Sequence, residues 1–368
     1  MASTTSYHPH QPAPLDRTDP AAEGLLARYA AIADAAALDR DARVRLIRPI
    51  GAGGQGVVYL GERRGADGFM LPVTLKAFSP EPYRDADAYE EDMARVAQVA
   101  ARVARIQHDN LLSIHDFFAS GGIRIMEMEW LDGHDLRVLL TPETLERTRA
   151  RVGAARWEYV QRVVLTHGAT QPRFQPGVAI RVLRDCLSGL AALHRRGIVH
   201  GDLKPSNVML KRTGNVKLID IGSAVQLNRP TARRVWSPAY AAPEVLAGEE
   251  ATPRSDLASL GYVLVEMLAG RSPFEGLKTV EELRSAKAGL DRRLPELLPP
   301  EVSRSELLLH LCRRLVAADP AKRFPDELAA DLGRKGAADF HRQLVKGDLA
   351  SEYENDLRVW LEQLGSVP

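Results

Sequence analysis

Hydrophobic positions follow two different rhythms along this chain. Between Val44 and Trp130 they come in short runs, rich in β-branched and aromatic residues and bounded by glycine, at residues 44–50, 57–60 and 71–78. A hairpin pattern over 113–128, turning at Gly121-Gly122, completes this strand-forming region. One stretch at the helical period interrupts it over residues 87–106, where Val99, Val103 and Ile106 share a face. Beyond Trp130 long proline-free helical stretches take over, clearest at 178–196 and 256–269. The pattern predicts an α+β chain: a small β-rich lobe with one main helix over 44–130 and a larger helical lobe over 131–327.

Residues 141–176 mix charges without any catalytic pattern and are expected as a helical insertion in the larger lobe. Residues 328–368 are expected as a C-terminal helical extension, in which Phe340, Leu344, Leu349, Leu357 and Leu361 form apolar faces that must be buried. Docking on the larger lobe is the first expectation for them and a binding partner the second. At the other end, residues 1–20 read as a disordered tail, whose His8 and His10 lack further ligands for a metal. An Ala-rich short helix over 21–38 follows, with a boundary near residue 43.

Bulk properties narrow the function classes. A chain of 368 residues can bury a large core in a two-lobed unit. With 49 basic against 48 acidic residues and a net charge of +1, nothing favours nucleic acid or an anionic membrane as the main partner. The two cysteines, Cys186 and Cys312, have no metal-ligand spacing and point to a reduced, cytoplasmic setting. No apolar run approaches the roughly 20 residues of a spanning helix, so membrane insertion is not expected.

Candidate chemistry starts at Gly51-Ala-Gly-Gly-Gln-Gly56, a GxGxxG turn that is weak evidence by itself. Strand-like residues flank it on both sides, whereas a dinucleotide site needs a helix after the turn. A P-loop is excluded too, because Val57 and Val58 stand where Lys and Ser/Thr would be required. Further on, the loop "IVHGDLKPSNVML" gathers Asp202, Lys204 and Asn207, and "VKLIDIG" places Asp220 at a strand end before a glycine. A carboxylate base, a cation and oxygen ligands for a metal are what phosphoryl transfer needs, since its catalysis is mostly positioning and charge neutralisation. Singly these residues read as turn formers, a strand exit or, for Lys76, a snorkelling lysine. Their joint order and spacing favour the functional reading.

In that order the motifs resemble those of the eukaryotic-type Ser/Thr protein kinase family, from about residue 44 to 327. The resemblance implies a two-lobed protein-kinase-like fold, ATP and Mg²⁺ as cofactors, and a protein substrate. It assigns Gly51, Gly53, Gly56 and Val58 to the phosphate-covering loop and Lys76 to the α- and β-phosphates. "MEWLDGHDL" resembles the hinge, with Met128 as gatekeeper, Glu129 and Leu131 offering backbone bonds to adenine, and Asp135 near the ribose. Asp202 resembles the catalytic base, Lys204 its electrostatic helper, and Asn207 and Asp220 the metal ligands. "DLKPSN" is similar to the Ser/Thr rather than the Tyr branch. "SPAYAAPE" resembles the substrate-binding end of the activation segment, with Ser237 placed to position substrate and Glu244 expected to pair with Arg323.

Three positions depart from the family pattern. Gly201 stands where most members carry the arginine that receives an activation-segment phosphate, and Ile221 replaces a phenylalanine. Counting back from "RIQHDNLL" puts Val99, beside Gln98, where a glutamate should meet Lys76; the acids Glu91 and Asp92 lie about two helical turns upstream. Two classes follow: an active kinase in which Gln98, or an acid brought in by a shifted helix, orients Lys76, and a nucleotide-binding pseudokinase acting as a scaffold. Intact Asp202, Asn207 and Asp220 favour the first.

Overall fold

The structure, a computed structural model, describes residues 20–35, 44–227, 236–346 and 353–365. His8, His10 and Leu349 lie outside the described residues, as does most of the segment leading into Ser237. The β-rich runs form strands β1 (Val44–Gly53), β2 (Gly56–Arg64), β3 (Met70–Phe78), β4 (Ile114–Ser120) and β5 (Ile123–Glu129). They pair antiparallel in the order β1-β2-β3-β5-β4. Pro49 is accommodated because β1 is an edge strand with register shifts on either side of it.

Ahead of the sheet, helix α1 (Pro20–Ala35) is not a detached element: Ala22, Leu25 and Ile32 are buried in the same core as the small lobe. The main helix of that lobe, α2 (Ala86–Val103), starts where the Asp85 carboxylate accepts from Ala88 N at 2.8 Å. It stops three residues short of the expected Ile106, in a tight final turn closed by Ile106 N on Val103 O. Its apolar stripe, Tyr89, Met93, Val96, Val99, Ala100 and Val103, is buried.

In the larger lobe, β6 (Gly133–Asp135), β7 (Val208–Lys211) and β8 (Val216–Leu218) make a small sheet in the order β8-β7-β6. The insertion consists of α3 (Pro142–Arg151), α4 (Ala154–Val163) and a two-residue strand pair, Leu165–Thr166 with Phe174 and Arg173. It leads into α5 (Pro176–His194), which packs on α6 (Pro253–Ala269). From Ser255 to Ala269 every residue of α6 is buried, so this helix is the axis of the lobe. A capping box between Thr252 and Ser255 fixes where it begins. Next to it Glu244 and Arg323 form a bidentate pair at 2.6 and 2.8 Å, and the remaining guanidinium donors reach the carbonyls of Arg254, Ala317 and Ala318. Arg323 thus has a partner for each of its five donors, which is how a fully buried cation is tolerated here.

The lobe continues with α7 (Val280–Ala288), whose Lys287 meets the Tyr262 ring of α6, then α8 (Ala337–Lys346), which packs on α5, and α9 (Tyr353–Leu364). Glu327, the expected end of the larger lobe, is the first residue of a short helix, Glu327–Asp331. Helix α9 folds back onto α3 and α5, burying Tyr353, Leu357, Trp360, Leu361 and Leu364. Trp360 Nε1 donates to Thr148 Oγ1 at 3.1 Å, and Tyr159 donates to Asp356 at 2.8 Å. The insertion and the C-terminal extension are therefore two halves of one packed layer, and the apolar face of α9 is covered by this chain.

His194, the last residue of α5, lies between two acids: Nε2 is 2.8 Å from Asp256 and Nδ1 is 2.7 Å from Glu327. Burial disfavours its imidazolium, but the hydrogen bonds and charges of Asp256 and Glu327 outweigh burial and raise its pKa to about 9. Because the folded pKa lies above the ordinary histidine value, this stabilisation is complete below about pH 6.5 and is lost as pH rises through about 9. Urea midpoints should accordingly fall between pH 6.5 and 9.5, and His194→Gln, though less stable at pH 6, should lose much less over that interval. Parallel declines in parent and variant would remove His194 from this role.

Candidate active site

The loop carrying the candidate base is hung from α6. The Asp256 carboxylate accepts from His200 N at 2.7 Å and from Gly201 N at 2.9 Å. Gly201 has φ +78°, and a Cβ there would come within 3.0 Å of the Ser223 carbonyl oxygen, so glycine suits both the backbone and the space. Asp202 follows, buried, with Oδ2 accepting from Lys204 Nζ at 2.7 Å and Oδ1 from Ser237 N at 2.8 Å. Lys204 also donates to Ser237 Oγ at 2.9 Å. Asn207 Nδ2 donates to the Asp202 carbonyl at 2.8 Å, and the Asn207 carbonyl accepts from Ile219 N at 3.0 Å. Among the described residues Asn207 Oδ1 has no hydrogen-bond donor, which leaves it available as an oxygen ligand.

Asp220 faces this loop with φ +63°, an uncommon conformation for a residue with a Cβ. Its Oδ1 accepts from Lys76 Nζ at 2.6 Å and from Gly222 N at 3.1 Å. Burial pushes the Asp220 carboxyl up, but the Lys76 ammonium and its hydrogen bond, the Gly222 amide and the Lys204 charge together hold it at about 2. Glycine at 222 is dictated by crowding: a Cβ would lie 2.6 Å from Gln55 Oε1 and 3.0 Å from Lys76 Nζ. Ile221 is buried, so the exchange for phenylalanine preserves an apolar contact.

Lys76, buried on β3 opposite Val58 of β2, receives its second partner from an unexpected place. Nζ donates at 2.8 Å to Oε1 of Gln55 in the glycine turn, and Gln55 Nε2 donates to Ser223 Oγ at 2.8 Å. The amide beside Lys76 is thus Gln55, not Gln98. Val99 packs in the apolar core of the small lobe, where a carboxylate would be desolvated rather than offered to Lys76. The α2 residues lining the small cavity next to Gly222 and Gln55 are Asp92, Met93 and Val96, so the helix register differs from the one counted along the sequence. Asp92 is nevertheless engaged, accepting from Tyr83 Oη at 2.8 Å and from Arg95 Nε at 2.7 Å. Arg95 in turn donates to the Ala224 carbonyl at 2.9 Å, tying α2 to the segment after Asp220.

On the other side of the cleft, Met128 is the penultimate residue of β5 and Leu131 is buried just beyond the strand. Among the described residues the Leu131 N–H and C=O have no protein partner, although the side chain is enclosed. Glu129 is pinned by its side chain, which accepts from Lys217 Nζ at 2.6 Å and Ser113 N at 2.7 Å. Asp135 is drawn into a structural task, its Oδ1 accepting from Val138 N at 2.9 Å as a helix cap. Gly51 and Gly53 lie exposed in the turn, with nothing among the described residues, apart from their chain neighbours, within 4 Å of where a Cβ would sit, and Gly56 opens β2.

A small five-stranded lobe, a helical lobe, and a cleft lined by a buried lysine, two carboxylates and an amide define the class. The protein kinase domain family model matches residues 44–330, more than half of the chain, and the chain belongs to that family. Among curated proteins it is 30% identical over 297 residues to serine/threonine-protein kinase pkn2 of Myxococcus xanthus, covering 77% of this chain and 31% of that protein. It is 32% identical over 305 residues to PknL of Mycobacterium tuberculosis, covering 79% and 65%. The chain thus spans between about a third and two thirds of the length of these relatives. The crystal structure of the Mycobacterium tuberculosis PknI kinase domain superposes with a TM-score of 0.52 at 22% identity, over 83% of this chain and 96% of that one, a likeness of fold.

Proposed function

We propose that this chain transfers the γ-phosphoryl group of ATP to a Ser or Thr hydroxyl of a protein substrate, with Mg²⁺ as the metal. The observation that carries the reading is the buried Asp202 carboxylate, held from both sides by Lys204 and Ser237. In this mechanism Asp202 accepts the proton of the acceptor hydroxyl as its oxygen bonds to the γ-phosphorus. The bond from that phosphorus to the β,γ-bridging oxygen breaks, and ADP leaves with the bond's electrons. Lys204 offsets charge near the transferring group, and Lys76 holds the α- and β-phosphates.

The open space above Gly51 and Gly53 lets the turn's backbone approach phosphates, and the unpaired N–H and C=O of Leu131 suit an adenine edge, with Glu129, Val58 and Asp135 around it. Asn207 Oδ1 and the Asp220 carboxylate are hard oxygen donors that fit Mg²⁺, which would supply charge neutralisation at the phosphates. We further take residues 44–327 as the kinase domain, with α1 and the C-terminal helices as additions packed on it. A cytoplasmic setting fits the two free, buried cysteines, and no helix among the described residues is long and apolar enough to cross a membrane.

Incubation with radiolabelled ATP and Mg²⁺ tests the assignment. Transfer to protein Ser or Thr is expected; nucleotide binding without transfer would establish the scaffold reading instead. Asp220→Ala should weaken metal-dependent nucleotide binding by about tenfold or more, since it removes a ligand carboxylate and leaves Lys76 with only the neutral Gln55 amide as partner. Equal affinities for the metal-nucleotide complex in parent and variant would take Asp220 out of the metal site.

A further inference from the structure

Helix α7 carries Lys287, a lysine with no solvent exposure at all. Its Nζ donates to the carbonyl oxygens of Pro238 at 3.2 Å, Ala239 at 2.7 Å and Ala241 at 2.9 Å. The same nitrogen lies 4.4 Å from the centroid of the Tyr262 ring and 4.2 Å from that of Phe274. Three ammonium protons meet three carbonyl acceptors, and two aromatic faces close off the rest of the shell. Among the described residues it has no carboxylate partner. Burying such a cation is unfavourable before its contacts are counted, and an apolar side chain would fill the same space. Burial pushes the Lys287 pKa down, but three carbonyl acceptors call for three N–H donors, so the nitrogen has a local task and the carbonyls identify it.

Those carbonyls belong to the turn that follows Ser237. Ser237 gives its N–H to Asp202 and its hydroxyl accepts from Lys204, while its own carbonyl accepts from Tyr240 N and Ala241 N, both at 2.9 Å. One end of the turn is thus fastened to the catalytic carboxylate, and its carbonyls point inward at a single nitrogen from α7. We propose that Lys287 is a positioning residue for the acceptor substrate: it fixes the shape of residues 238–241, the surface beside Asp202 on which the segment around the acceptor hydroxyl lies. The inference rests on the phosphotransfer reading of the Asp202 site.

The test compares Lys287→Met, which fills the volume without donors, with Lys287→Gln, whose amide can still serve two of the carbonyls. Casein is the acceptor in steady-state assays, and hydrogen exchange reports on residues 238–242. Lys287→Met should raise KM for casein by about tenfold or more while KM for ATP changes less than about twofold, with faster exchange confined to the turn. Lys287→Gln should recover part of the loss. Unchanged KM for casein with unchanged exchange overturns the proposal, as does an equal loss for casein and ATP accompanied by faster exchange throughout the lobe. Should Lys287→Met fail to fold, the Gln variant is judged by the same two readouts. A parent that transfers no phosphate defeats the phosphotransfer reading instead, and the exchange experiment still decides whether Lys287 shapes the turn.

Discussion

Asp202→Asn is expected to lower phosphotransfer by about 10²–10⁴-fold, the contribution of a positioned general base, with nucleotide affinity little changed. The variant keeps the size of the side chain, and the Asn carbonyl can still accept from Ser237 N where Asp202 Oδ1 now does. It lacks the basicity to take a hydroxyl proton. Lys204 also loses its 2.7 Å carboxylate partner, because an amide nitrogen cannot accept from an ammonium. Nucleotide contacts are assigned to Lys76, Asp220 and the hinge, on the other side of the cleft, which is why binding should survive. Single-turnover transfer from radiolabelled ATP and fluorescence titration with nucleotide separate the two quantities. A variant that transfers at more than about a third of the parental rate would show that Asp202 is not the base.

Trp360→Ala should cost about 3–5 kcal/mol, the range for deleting a large aromatic side chain from a packed core. Trp360 is fully buried, meets Phe174 edge to face at 6.1 Å between centroids, and satisfies its indole N–H on Thr148. The loss should appear first as release of α9 rather than as global unfolding, since this helix joins the rest of the lobe through one layer formed with α3 and α5. Hydrogen exchange over residues 353–365 and along α3 should accelerate by two orders of magnitude or more, while α6 keeps its protection. Trp360→Phe should retain most of the packing but lose the bond to Thr148. If α9 exchanges no faster in Trp360→Ala, its docking does not depend on this side chain.

What could be read from the sequence and what could not divides along chain separation. Strand and helix periods are local, so the two-lobed α+β arrangement was visible, including the long helix that became α6. Asp202, Lys204 and Asn207 stand within one short loop whose hydrogen bonds close over a few residues, so their proximity was implied by adjacency. Gln55 gave no such signal: its partners, Lys76 and Ser223, are 21 and 168 residues away, and nothing in the turn marks the side chain as inward-facing. The register of α2 was miscounted because Val96, Val99 and Val103 are all apolar, and periodicity shows that a face is buried without saying against what. Lys287 was invisible for a related reason. A lysine in a helix ordinarily faces water, and the carbonyls that overturn that expectation lie 46 to 49 residues earlier. The pairing of the insertion with α9 was half legible, since an apolar stripe demands a cover but does not name it.

One carboxylate of α6, that of Asp256, receives His194, His200 N and Gly201 N together. The loop that presents Asp202 has no scaffold of its own; it inherits its shape from the interior of the helical lobe. Robustness and turnover are consequently joined at one residue. Any change that tilts α6 reaches Asp202 in a single step, without touching the cleft. Substitutions deep in this lobe can therefore look like catalytic lesions in an assay, and only a parallel measurement of folding tells the two apart.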